Sequence, residues 1–361
     1  MLYFLYPLKE LSIVFNLFRY ITFRSAGASV TAFLICLWLG PRMIEWLKTM
    51  KATANQKREH AASIHGFFAH KGSVPTMGGL LVVASVVFSI LLWGNLTNRF
   101  VWLLLAVVIW FGAVGFLDDW IKLRSQSSRG LSSLTKLMGQ LLMGLALGLY
   151  LYTDPGFDKW LYFPLIKKGA LYLGFFFIPF VVLVLVGSSN ALNLTDGLDG
   201  LAIGCALFTT GAFAIISYLV GRVDFSTYLN IPYVPEAGEI TVFCSALVGA
   251  SAGFLWFNSY PAEVMMGDTG SLSLGGVLGA IAVLTKKEMV LVIVGGIFVW
   301  EALSVILQVA SFKLFKRRIF LMSPFHHHLQ LKGWPESKVT VRLWIIALVL
   351  AVVGLSTLKV R

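Results

Sequence analysis

Five of the eight aspartates in this chain fall in three short stretches, each at the edge of an apolar run. In GFLDDWIK, residues 115–122, Asp118 and Asp119 are adjacent. In NALNLTDGLDG, residues 190–200, Asn190, Asn193, Asp196 and Asp199 recur at intervals of three. In EVMMGDTGSLSLGG, residues 263–276, Asp268 stands between glycines. Adjacent carboxylates repel, which raises one pKa or demands a cation. At a helix C-terminus they also oppose the macrodipole. A bound metal or a proton-transfer role resolves both costs; a solvated helix end is the plainer alternative. Steps of three residues on an α-helix drift by about half a turn over four positions. The four polar residues therefore face one ligand only if the backbone is irregular, as Gly197 and Gly200 permit. Such a backbone exposes amides to an anion or a nucleobase edge. Asp268 reads either as a helix N-cap or as a carboxylate that meets Mg²⁺ and substrate phosphates.

Two further stretches carry reactive types. SPFHHHLQLKGW, residues 323–334, holds three consecutive histidines. Neighbouring side chains diverge by about 100° in a helix, so at most two serve one centre. Zinc is disfavoured, because no cysteine is near and no histidine pair has ligand spacing. HKGSVPTMGG, residues 70–79, places Lys71 and Thr76 before two glycines. A phosphate or nucleotide contact fits there, as does a topogenic anchor at Lys71; the pattern is not a P-loop. Lys122, Arg124, Arg129 and Lys136 flank the aspartate pair as topogenic charges or lipid-phosphate contacts.

The elements that must position these residues are membrane helices. Of 361 residues, 58% are hydrophobic and 13% charged, with mean hydropathy +0.82. A soluble domain carries about 25% charged residues. Apolar runs here reach the roughly 18–20 residues that cross a bilayer, and the short alternating segments of a barrel are missing. The sequence predicts an all-α, polytopic integral membrane protein with about ten transmembrane helices in a single domain, 1–361. An aromatic interfacial segment covers 1–24. The spans fall near 25–47, 76–94, 100–117, 134–152, 172–188, 200–220, 240–257, 271–285, 289–312 and 339–357. The one at 271–285 is short and glycine-rich, which predicts shielding from lipid. Cys36, Cys205 and Cys244 read as packing residues without disulfides.

Ten spans put both termini on one side. The opposite set of loops carries fifteen Lys and Arg against twelve, and it holds all six histidines and the five aspartates named above. That set is predicted to be cytoplasmic, with the active site at that face. The other face holds 153–171, expected to form a small hairpin, and the amphipathic run 222–238. A net charge of +12 points to lipid headgroups or phosphorylated substrates before nucleic acid.

Carboxylates, basic residues and histidines at one edge of a helical bundle suit phosphoryl-group chemistry with Mg²⁺ on a substrate that partitions into the bilayer. A cation-coupled transporter, the rival class, places its ionisable groups near the midplane; here Glu301 and Arg342 are the main charges within spans.

The stretches GFLDDWIK, NALNLTDGLDGLA, MGDTGSLSLGG and PFHHHLQLKGW resemble the signature sequences of the polyprenyl-phosphate N-acetylhexosamine-1-phosphate transferases. The triple histidine with KGWPESKVTVRLW, and the early HKGSVPTMGG, are similar to one branch of that family. The resemblance covers essentially the whole chain. It implies transfer of phospho-MurNAc-pentapeptide from UDP-MurNAc-pentapeptide to undecaprenyl phosphate, giving lipid I and UMP, in the first membrane step of peptidoglycan synthesis. It also implies Mg²⁺, a homodimer, and the bacterial cytoplasmic (inner) membrane. A sister enzyme using UDP-GlcNAc is the nearest alternative. By motif, Asp118 and Asp119 lie at the lipid-phosphate side, with Asp118 favoured as base. Asp268 matches the metal-binding aspartate, with Asp118 beside it. Lys136, His327 and His328 match residues near the diphosphate and catalytic centre. Asn190, Asn193, Asp196, Gly197, Leu198 and Asp199 match the nucleoside side, with Lys71, Thr76, Asn258 and Met265 lining the donor pocket. Met265 stands where some relatives carry an aromatic, so a stacking contact to the base is in doubt there.

Overall fold

The computed structural model describes residues 1–10, 12–50, 52, 74–125, 130–164, 166 and 169–359. Its helices are α1 Ile21–Thr49, α2 Gly79–Trp93, α3 Arg99–Ser125, α4 Ser133–Thr153, α5 Phe177–Thr195, α6 Leu201–Val220, α7 Val223–Leu229, α8 Gly238–Asn258, α9 Gly267–Leu284, α10 Glu288–Val294, α11 Gly296–Phe315, α12 Phe325–Leu331 and α13 Glu336–Ser356. One small hairpin joins β1, Trp160–Tyr162, to β2, Ala170–Tyr172, antiparallel with Leu161 opposite Leu171. It falls within the stretch where the sequence predicts one, and α7 lies in the amphipathic run after α6. The chain is a multi-pass, all-α membrane protein: nine helices among the described residues are at least 18 residues long and apolar enough to cross a bilayer.

Two predicted spans differ. The run at 76–94 supplies only the 15 residues of α2, about 22 Å of helix. Its first residues form no helical turn: Met77 is at positive φ, Pro75 O accepts from Met265 N and Met265 O accepts from Gly78 N, at 2.8 and 2.9 Å. The run at 289–312 is two helices, α10 and α11, interrupted at Gly295. The stretch 1–24 includes the start of a long helix. Short 3₁₀ turns, Leu2–Glu10 and Ile13–Arg19, bury no residue, and α1 already begins at Ile21.

α9 is the centre of the bundle. Every residue from Thr269 to Leu284 is buried, which fulfils the expected shielding of that run. Its glycines, alanines and serines let neighbouring backbones approach where long side chains would not, and α3 and α5 pack on either side of it. α1 and α6 pack on α8, and α13 packs on α6. All three cysteines are buried and unpaired.

One ion pair ties the starts of α1 and α8. Arg24 meets Glu239 through two bonds, Nη1 to Oε2 at 2.7 Å and Nη2 to Oε1 at 2.6 Å. Glu239 Oε2 also accepts from Asn95 N at 3.0 Å, and the Tyr3 ring covers the guanidinium at 4.9 Å. α3 starts just after Asn95, so this clamp marks the end of the bundle opposite Asp118 and Asp119.

Candidate active site

α3 carries Asp118 and Asp119, both buried, to the point where α9 begins. The two helices nearly touch there, because a Cβ on Gly115 would sit 2.2 Å from Asp268 O. Only glycine leaves that space. The adjacent aspartates diverge, as neighbouring helical residues must. Asp119 turns to the free amides at the start of α9. Its Oδ1 accepts from Asp268 N at 3.2 Å, and its Oδ2 accepts from Thr269 N at 2.9 Å and Thr269 Oγ1 at 2.7 Å. A carboxylate at a helix N-terminus is favoured by both the orphan amides and the dipole. The cap that the sequence offered to Asp268 is thus supplied by Asp119, and Asp268 is released to face the cluster.

Asp118 Oδ1 accepts from Leu131 N at 2.8 Å. Its Oδ2 is buried without an aligned hydrogen-bond donor and meets two ammonium groups, Lys122 Nζ at 2.5 Å and Lys136 Nζ at 3.4 Å. The same lysines hold Asp268 Oδ2, at 3.1 and 2.5 Å. Asp268 Oδ1 accepts from Asn193 Nδ2 at 2.8 Å, which also donates to Ser271 Oγ at 2.7 Å. Asp118, Asp119 and Asp268 each present an oxygen, all within 4.8 Å of one another. This all-oxygen donor set fits a hard divalent cation such as Mg²⁺. Asp119 gives its oxygens to α9, whereas Asp118 Oδ2 and Asp268 Oδ2 face the two lysines, so these two carboxylates could hold it.

A second polar group lies at the turn after α5. The helix stays regular through Thr195, so Asn190 and Asn193 share a helical face and the irregular backbone begins only at Asp196. Asn193 consequently joins Asp268 instead of the loop. Asn190 Nδ2 donates to Gln140 Oε1 at 2.7 Å and to Val186 O at 2.8 Å. Beyond the helix, Asp199 and Asn258 are buried and spend polar atoms on backbone. Asp199 Oδ2 accepts from Ala262 N at 3.1 Å, while Asn258 accepts from Gly200 N at 3.1 Å and donates to Val264 O at 2.8 Å. α13 clamps the same turn: Glu336 Oε1 accepts from Asp199 N at 2.8 Å, Thr340 Oγ1 donates to Asp199 O, and Trp344 Nε1 donates to Gly200 O. Leu198 is buried beneath it, and Asp196 and Gly197 are half-buried at its rim.

Two of the three histidine rings meet, His326 and His327 at 4.2 Å between centroids, and His328 has other partners. His328 Nδ1 accepts from Leu321 N at 3.1 Å and its ring stacks on Phe325; burial and Lys332 hold its imidazole below the ordinary range. His327 is buried with Nδ1 2.8 Å from Gln330 Oε1. His326, which the sequence reading passed over, packs its ring against Gly197. Thr76 lies beside the cluster: its Oγ1 and Asp119 Oδ2 both border Gly267. Met265 is half-buried and its backbone bonds to Pro75 and Gly78. Lys71 lies outside the described residues. Lys122 was legible as more than a topogenic charge, since it stands four residues after Asp118 on one helical face. Thr269, Ser271, Glu336, Thr340 and Trp344 carried no such signal.

The sequence pattern of glycosyl transferase family 4 matches residues 101–286, which hold both carboxylate-bearing helices and the turn after α5. Full-length relatives are similar throughout. A phospho-N-acetylmuramoyl-pentapeptide-transferase of Oleidesulfovibrio alaskensis is 50% identical over 363 residues, covering 100% of both chains. Proteins of the same name from a Geobacter species and from Granulibacter bethesdensis are each 50% identical, over 99% of this chain and 99% and 98% of theirs.

Proposed function

We propose, from the premise that the chain belongs to the phospho-N-acetylmuramoyl-pentapeptide-transferase family, that it transfers phospho-MurNAc-pentapeptide from UDP-MurNAc-pentapeptide to undecaprenyl phosphate. The products are lipid I and UMP. The observation that carries the reading is the meeting of Asp118 and Asp268 with Lys122 and Lys136 at the end of α3. Three carboxylates stand against two ammonium groups there, in a place that suits a dication and phosphate oxygens together.

The acceptor is a phosphate monoester, whose second ionisation lies near pH 6, so it is a competent nucleophile at neutral pH. Its oxygen attacks the β-phosphorus of the donor; the new P–O bond forms as the bond to the UMP phosphate breaks. Lys122 and Lys136 neutralise diphosphate oxygens, and in doing so leave their carboxylate partners. Asp118 positions the acceptor phosphate and takes any remaining proton. Asn193 holds Asp268 in place through Oδ1. Asp119, through α9, fixes where Asp268 stands. Bound at Asp118 and Asp268, Mg²⁺ supplies charge neutralisation and stabilisation of the leaving phosphate. The turn at Asp196 and Gly197, with Thr76 on the opposing segment, receives the nucleoside half of the donor; by motif Lys71 serves the same pocket, and His327 and His328 serve the diphosphate.

The same reading puts the site at the cytoplasmic face of the bacterial inner membrane, supported by the excess of Lys and Arg on that set of loops. It takes the working enzyme as a homodimer, as the family resemblance implies. The test is UMP release in detergent with Mg²⁺ and undecaprenyl phosphate. UDP-MurNAc-pentapeptide is expected to release UMP and yield lipid I. Release from UDP-GlcNAc alone would reassign the chain to the sister activity, and no release from either, with no sealed membrane present, would favour the transporter.

A further inference from the structure

Glu301 is a carboxylate in the membrane-spanning part of α11, fully buried, and the mechanism above does not use it. An ionisable group at such depth is expensive and marks function by default. It faces the start of α12. Glu301 Oε1 and Oε2 accept from His326 N at 3.2 and 3.4 Å, and Oε2 lies 3.2 Å from His326 Nδ1. One carboxylate thus accepts from the backbone of His326 and lies at ion-pair distance from its ring, with no aligned hydrogen bond at Nδ1. The imidazole is fully buried too. Its far edge, Nε2, has no hydrogen-bond partner and points at the turn after α5: a Cβ on Gly197 would lie 2.2 Å from it. Gly197 does not need its freedom of φ, since it is not among the residues at positive φ. It needs the missing Cβ, because the imidazole occupies that space.

The chain of contacts is therefore Glu301 to His326 to Gly197, from the interior of the bundle to the rim of the turn. We propose that Glu301 is a positioning residue for donor binding: it holds the His326 imidazole against Gly197 and so sets the shape of the nucleotide subsite. The assignment rests on the reading of that turn as the site of the donor's nucleoside half. A carboxylate removed from a buried polar pair leaves the partner donor unsatisfied, and here the loss reaches the subsite through a ring that is no longer fixed.

The experiment compares full-length purified variants in two assays, steady-state kinetics for each substrate and equilibrium binding of UMP. Glu301→Ala is expected to raise the KM for UDP-MurNAc-pentapeptide and the Kd for UMP about tenfold, with the KM for undecaprenyl phosphate within about twofold of the parent. Glu301→Gln keeps the size and an oxygen for His326 N, and is expected to stay within about threefold of the parent. If the alanine variant does not fold, Gly197→Ala, which acts on the same ring, carries the test. Gly197→Ala, which displaces the imidazole with Glu301 intact, is expected to raise the same two constants. The double variant Gly197→Ala with Glu301→Ala is expected to be no worse than the poorer single variant, because both act through one ring. Unchanged donor and UMP constants in Glu301→Ala, equal losses for both substrates, or multiplied effects in the double variant would each overturn the assignment. If the parent protein releases no UMP from UDP-MurNAc-pentapeptide, it is the functional reading that fails instead.

Discussion

Arg24 with Glu239, which are buried, and Lys122 and Lys136 with three aspartates, which are partly so, are charge groups at opposite ends of the same bundle. About 20 residues of α3 lie between them, roughly 30 Å of helix. The first group is balanced. One guanidinium meets one carboxylate in the parallel geometry that arginine favours, and both carboxylate oxygens are taken. The second is not balanced. It holds one carboxylate more than its ammonium groups neutralise, and Asp118 Oδ2 is buried with no aligned donor. Charge in surplus is unfavourable for a protein alone and useful to one that must receive a cation and a polyphosphate. The balanced pair fixes how α1 meets α8; the unbalanced cluster has the charge and the oxygens that suit a cation.

The contrast can be broken most sharply at Asp268. Asp268→Asn keeps the shape and the contact to Asn193 but removes the surplus charge. Turnover, read as UMP release, is expected to fall at least about a thousandfold, with melting temperature in detergent nearly unchanged. Retained activity would remove Asp268 from the metal. Arg24→Ala is the opposite case. It strands Glu239 in a buried site, which costs about 3–5 kcal/mol of stability, seen as a lower melting temperature, while the turnover of the folded fraction stays near that of the parent. Asp119→Ala lies between the two. Loss of the cap on α9 is expected to cost about 1–2 kcal/mol and also to lower turnover, since Asp268 stands in the first turn that the cap holds. A variant that lost activity without stability would show Asp119 to be a ligand instead of a cap.

The architecture was legible because span length and hydropathy follow directly from the thickness of a bilayer. It failed where one apolar run changes conformation inside itself, at Gly295 and ahead of Gly79, because hydropathy does not report backbone geometry. The aspartates were legible as a group, since charge at the edge of an apolar run is costly. Their division of labour was not. Asp119 caps a helix whose first turn lies about 150 positions later, and nothing local in GFLDDWIK signals that. Asn193 was expected beside Asp196 and Asp199, yet α5 continues through it and turns it toward Asp268. The histidine whose ring packs against Gly197 is His326, and the carboxylate beside it, Glu301, sits on another helix, so nothing local in HHH singles it out.

The most direct measurement of the central claim is Mn²⁺ binding, a magnetic probe for a carboxylate site that takes Mg²⁺, titrated by electron paramagnetic resonance on detergent-purified protein with UMP present. The parent and Arg24→Ala are expected to bind Mn²⁺ with the same stoichiometry, and the double variant Asp118→Asn with Asp268→Asn to lose that binding. A double variant that binds Mn²⁺ as tightly as the parent would contradict the assignment of the unbalanced cluster as the place where metal and phosphates meet.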